Sequence, residues 1–166
     1  MLGIILLGLV LSSIGLIGAS LLTWLGLVSF ANINLVPFAF MNALTTLGLL
    51  FMYNSVFEVS SVRDFLIYVV VAFFFHAGRL SVLVESEDKR LRVFFLSSGH
   101  TKNEYVLNYV FRRAVRRNVA SLLLCWGLMS LTIALRNLSL WKLQGFWIGV
   151  FLLCLGVTSF LLDRKY

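Results

Sequence analysis

Long apolar runs separated by short polar stretches make up most of the chain. The first covers 2–28 and carries no charged residue. Four more follow at about 35–53, 65–83, 119–135 and 145–162. Each is close to the roughly 20 apolar residues that a helix needs to cross a bilayer. The runs are continuous rather than alternating, which excludes the strands of a membrane barrel. In lipid a segment must satisfy its own backbone hydrogen bonds, so the pattern predicts helices. The expected fold is an all-α integral membrane protein of five transmembrane helices. The single proline, Pro37, falls at the start of the second run, where a helix tolerates it.

Composition agrees with that reading. The 166 residues are 60% hydrophobic and 13% charged, with a mean hydropathy of +0.96. That length accommodates one membrane domain over 1–166. The N-terminal run lacks a basic leader and a small-residue cleavage site, so it is expected to span rather than be removed. No lipidation motif is expected at either end. Cys125 and Cys154 lie in apolar runs at no metal-ligand spacing, and are expected as buried or lipid-facing thiols.

The net charge of +7 follows membrane topology rather than nucleic-acid binding. Arg79, Lys89, Arg90, Arg92, Lys102, Arg112, Arg113, Arg116 and Arg117 all lie around the stretch between the third and fourth runs. Between the second and third there is only Arg63, and between the fourth and fifth only Arg136 and Lys142. The positive-inside rule places the central loop in the cytoplasm. The N-terminus is then outside and the C-terminus, with Arg164 and Lys165, inside.

That loop, at about 84–118, reads as helix, tight turn, helix. Glu85/Lys89 and Asp88/Arg92 are acid-before-base pairs four residues apart, which support a first helix. Gly99 suits a left-handed cap at its end. Thr101 and Glu104 have the spacing of a capping box, which starts a second helix. Leu107, Val110, Phe111, Ala114 and Val115 form an apolar stripe on that second helix, which can continue into the fourth span. Arg112, Arg113, Arg116 and Arg117 lie on its other faces and are expected at the headgroup level against anionic lipid. The tip residues Ser98, Gly99, His100, Thr101, Lys102 and Glu104 are candidates for docking a partner, because a protruding helical hairpin fits a groove on a soluble protein.

Candidate chemistry inside the membrane is sparse. Asn42 and Thr45 in the second run and His76 in the third are candidate pathway residues, with hydrogen bonding between helices the alternative. In the first run, Gly8/Ser12 and Gly15/Ala19 are small residues four apart, which permit close helix packing within the chain or against another subunit. No nucleotide-binding, zinc-protease, hydrolase or haem-attachment motif is present, so neither enzyme nor cofactor is expected.

Three features together carry a resemblance. Gly78-Arg79-Leu80 ends the third span, Gly99 sits in the turn, and Arg113-Ala114-Val115-Arg116-Arg117-Asn118 leads into the fourth. With the order of spans, these resemble permease subunits of ATP-binding-cassette importers of the oligopeptide, dipeptide and nickel group. The resemblance implies three helices before a cytoplasmic coupling loop and two after it. It also implies a second permease-like chain, a cytoplasmic ATPase partner that docks on the loop, and placement in a bacterial inner membrane. The alternative function is an accessory or scaffold subunit of a larger membrane complex, favoured by the low polarity of the spans.

Overall fold

The computed structural model describes residues 2–29, 36–85, 89–136 and 141–163. The described residues form six helices and no sheet. These are α1 (Leu2–Ser29), α2 (Ala43–Val56), α3 (Ser61–Glu85), α4 (Lys89–Ser97), α5 (Lys102–Arg136) and α6 (Trp141–Asp163). A 3₁₀ turn, Val36–Phe40, precedes α2. Four helices, α1, α3, α5 and α6, are long and apolar enough to cross a membrane, so the chain is a helical membrane protein.

The second expected span differs. α2 has 14 residues, about 21 Å of helix, which is short of a hydrocarbon core about 30 Å thick. The remainder of the run is the 3₁₀ turn, which contains Pro37. A local feature sets the start of α2. Asn42 takes the N-cap position, its side chain accepting from the Thr45 N–H at 2.9 Å.

Helix directions follow from which residues meet. Gly15 of α1 abuts Ala72 of α3, and Leu7 and Leu11 lie beside Phe65 and Tyr68, so α1 and α3 run parallel. The turn and α2 run back antiparallel to α3. Phe38 stacks on Phe74 at 5.0 Å and its carbonyl meets Gly78, while Tyr53 reaches Asp64. α5 descends against α1, with Asn103 beside Trp24, Leu122 beside Ser12 and Ser130 beside Gly8. α6 is antiparallel to α2, Gly156 meeting Thr45 and Gly149 meeting Met52. One end of the bundle therefore gathers Gly78, Arg79 and the α4–α5 hairpin. The other end gathers Asp64 and Arg136.

Small residues bring the helices together. Gly8, Ser12, Gly15 and Ala19 all face inward against α3 and α5, so the α1 pattern serves packing within the chain. Two glycines also meet each other across α2 and α6. A Cβ on Gly48 would sit 2.7 Å from the Gly149 carbonyl, and one on Gly149 2.8 Å from that of Gly48. Gly145 and Gly149, four apart in α6, were legible as a small-residue pair but had no place in the sequence reading.

α5 is continuous for 35 residues, about 52 Å, so it extends well beyond a hydrocarbon core. Residues Val106–Phe111 form a π segment within it. The segment re-aims the expected stripe: Tyr105, Val106, Val110 and Ala114 are buried against Ala19, Ala77 and Leu80, while Leu107 and Val115 are half exposed. Cys125 is buried and Cys154 is exposed on α6.

Candidate functional site

The hairpin is built as its sequence implies. α4 ends in a Schellman arrangement: the His100 N–H donates to the Phe95 carbonyl and the Gly99 N–H to that of Leu96, both at 3.3 Å. Gly99 has φ +85°, the left-handed region that a Cβ disfavours. The His100 ring packs on Phe95 at 5.7 Å, the apolar contact that accompanies this cap. The chain restarts at once. The Thr101 N–H donates to Glu104 Oε2 at 2.9 Å and the Glu104 N–H to Thr101 Oγ1 at 3.3 Å, a complete capping box.

Aromatic contacts fix the hairpin to the bundle. The Phe95 ring lies 5.5 Å from Tyr105 and 5.3 Å from Tyr109, and those two tyrosines stack at 5.6 Å. Trp24 Nε1 donates to Asn103 Oδ1 at 3.0 Å, tying the start of α5 to α1. Ser98, Gly99, His100, Thr101, Lys102 and Glu104 are all exposed at the tip. Val93 and Phe94 are 66% and 65% exposed, although Phe95 beside them is packed. The side chains of Glu85, Asp88, Lys89 and Arg92, the expected ion pairs of the first helix, lie outside the described residues. Arg112, Arg113, Arg116 and Arg117 are all exposed along α5, just beyond the π segment.

Of the three candidate pathway residues, Asn42 and Thr45 bond each other and His76 lies in a separate contact. His76 is fully buried between α1 and α5. Its Nδ1 is 2.8 Å from Ser121 Oγ and its Nε2 3.3 Å from Ser12 Oγ, while the Ser12 hydroxyl donates to the Leu122 carbonyl. A serine has one proton to give, so Nε2–H donates to Ser12 and Nδ1 accepts from Ser121. Asn42 instead lies against α6, donating to the Gly156 carbonyl at 2.7 Å. The Thr45 hydroxyl donates to the Phe40 carbonyl at 2.9 Å. The two of them cap α2, while His76 fastens three other helices together.

A second polar cluster, at the opposite end, has no counterpart in the sequence reading. Asp64 Oδ2 meets Arg136 Nη1 at 2.8 Å, with side chains 13% and 10% exposed. Tyr53 donates its hydroxyl to Asp64 Oδ1 at 2.6 Å, and the Ser60 N–H donates to Oδ2 at 2.8 Å. Arg136 also donates to the Phe57 carbonyl at 3.2 Å. One turn deeper, Asn54 and Tyr68 exchange hydrogen bonds at 2.8 and 3.0 Å. The ion pair forms the polar wall of a cleft of about 330 Å³ whose other walls include Leu7, Leu11 and Phe65. Its members come from α2, α3 and α5, and Asp64 and Arg136 are 72 positions apart. The signal in the sequence was a lone acid at the head of one span and a lone base at the foot of another.

Among the described residues no group of His, Cys, Asp and Glu has the arrangement of a metal site. Comparison with family models, curated proteins and solved structures finds no match.

Proposed function

We propose that this chain is a membrane-embedded docking subunit. It crosses the bilayer five times and offers the α4–α5 hairpin to a cytoplasmic partner. The second crossing combines the 3₁₀ turn with α2, non-helical backbone being tolerated where protein buries it. α3, α5 and α6 shield it on this reading. The excess of Lys and Arg at the hairpin end assigns that end to the cytoplasm.

The observation that carries the reading is the hairpin tip. Two capping motifs and an aromatic cluster hold it in one conformation, yet Val93 and Phe94 remain in the open. A connector needs no such order. A docking element does, because pre-organisation removes the entropy cost of binding. Docking is tested by co-purification at matched membrane levels from Gly99→Val and from Thr101→Ala with Glu104→Ala. Both are expected to stay inserted and to lose the partner chains. Full retention by both contradicts the reading.

A permease half that couples to an ATPase is the second reading. Its support is the position of the hairpin between the third and fourth crossings, with Arg79 and Gly99 where the resemblance expects them. Against it, the polar side chains Asn42, Thr45, His76 and Asn54 are engaged in bonds within and between helices rather than along a shared path.

A further inference from the structure

Arg79 lies on α3 at the hairpin end, partly buried, with its guanidinium over the Phe75 ring at 5.6 Å. Among the described residues it donates to no acceptor and pairs with no carboxylate. It lines an open cavity of about 400 Å³ bordered by the start of α2, by α3 and by α6. Ala39 and Met41 add apolar side chains, and the Asn42 side chain there is already committed to Thr45 and Gly156. Ala43 and Leu44 line it, and among the described residues their backbone N–H groups have no acceptor, since the Asn42 cap serves Thr45 and Thr46. Ser159 brings a hydroxyl from α6, and among the described residues no acidic side chain lines the cavity. A guanidinium withdrawn from bulk water needs an anion or an ordered acceptor to offset its desolvation. In a membrane protein such a residue marks a site.

We propose that this cavity holds a phosphate group with Arg79 as its principal ligand, and that an anionic phospholipid supplies it. The planar fork of arginine matches two phosphate oxygens, and basic pockets between membrane helices accept lipid headgroups. Arg79 is 15 positions along α3 from Asp64, about 22 Å of helix, which leaves it within reach of a headgroup. Gly78 beside it lets the Phe38 carbonyl approach α3 closely, fixing the wall of the cavity. The site is separate from the exposed arginines of α5, which attract anionic lipid only as surface charge.

The whole chain is purified into nanodiscs of phosphatidylcholine with phosphatidylglycerol, and retained lipid is counted by native mass spectrometry. Wild type is expected to retain phosphatidylglycerol. Arg79→Gln is expected to weaken retention by at least about tenfold, the loss of a charge-assisted hydrogen bond. Ala43→Leu, which fills the cavity but leaves Arg79, is expected to do the same. It also keeps the question open to test should Arg79→Gln fail to fold. Arg112→Gln with Arg116→Gln is expected to retain the lipid. A parallel arm titrates inorganic phosphate against detergent-solubilised protein and follows thermal unfolding. An Arg79-dependent shift there, with no retained lipid, would overturn the lipid as the source of the phosphate. Equal lipid retention by wild type, Arg79→Gln and Ala43→Leu, with no phosphate effect, would overturn the site itself.

Discussion

Asp64 and Arg136 show how much one side-chain pair contributes in this fold. The carboxylate accepts from Tyr53, Ser60 and Arg136, so neither charge is left uncompensated at the end of the bundle. Removing one partner strands the other, which costs about 3 kcal/mol or more for a buried pair, whereas removing both costs less than the sum. Asp64→Asn and Arg136→Gln are each expected to lower unfolding stability in detergent by that amount, and the double variant by less than the two combined. Strictly additive losses would show that the pair is not coupled. His76 works on a smaller scale. Ser121→Ala removes one interhelical hydrogen bond and is expected to cost only about 1 kcal/mol in the same assay, because polar contacts between membrane helices are individually weak.

At the level of elements, α2 depends on α6. Gly48 and Gly149 let the two backbones touch, and a methyl group on either would collide with the main chain of the other. Gly48→Ala is therefore expected to destabilise by about 1–3 kcal/mol, the usual cost of overpacking. Gly127 is the matched control, since it lies mid-helix in α5 with open space around it. Gly127→Ala is expected to be neutral or to stabilise by up to about 1 kcal/mol through helix propensity. Thermal unfolding of the two variants side by side checks the contrast. The hairpin obeys a different rule, for its caps are local: Gly99, Thr101 and Glu104 act within seven residues of the α4 terminus. Changes there are expected to alter partner binding and leave the bundle intact.

For the whole molecule, local chemistry was the readable part. Four long apolar helices and the cap-turn-cap of the hairpin follow from runs and spacings that each involve one segment. The second span departed because Asn42 caps α2 through a bond over three residues, below the resolution of a hydrophobic run. The π segment left no mark of its own, so the expected stripe contained Leu107 and Val115, which are half exposed, and missed Tyr105 and Val106, which are buried. Asp64 with Arg136, and Arg79 in its cavity, depend on helices meeting in space, which periodicity within one segment does not encode. The direction of each helix does emerge from contacts, and it makes the hairpin share an end with Arg79 and with the close of α6.

That shared end must face the cytoplasm if the hairpin docks a soluble partner there. Single cysteines at Ser98 in the exposed tip and at Val59, 76% exposed at the opposite end, report on it in a background lacking Cys125 and Cys154. An impermeant thiol reagent applied to intact cells is expected to label the Val59→Cys site and to label the Ser98→Cys site only after the membrane is opened. Labelling at Ser98→Cys in intact cells, with Val59→Cys protected, would contradict the orientation and the docking function that rests on it.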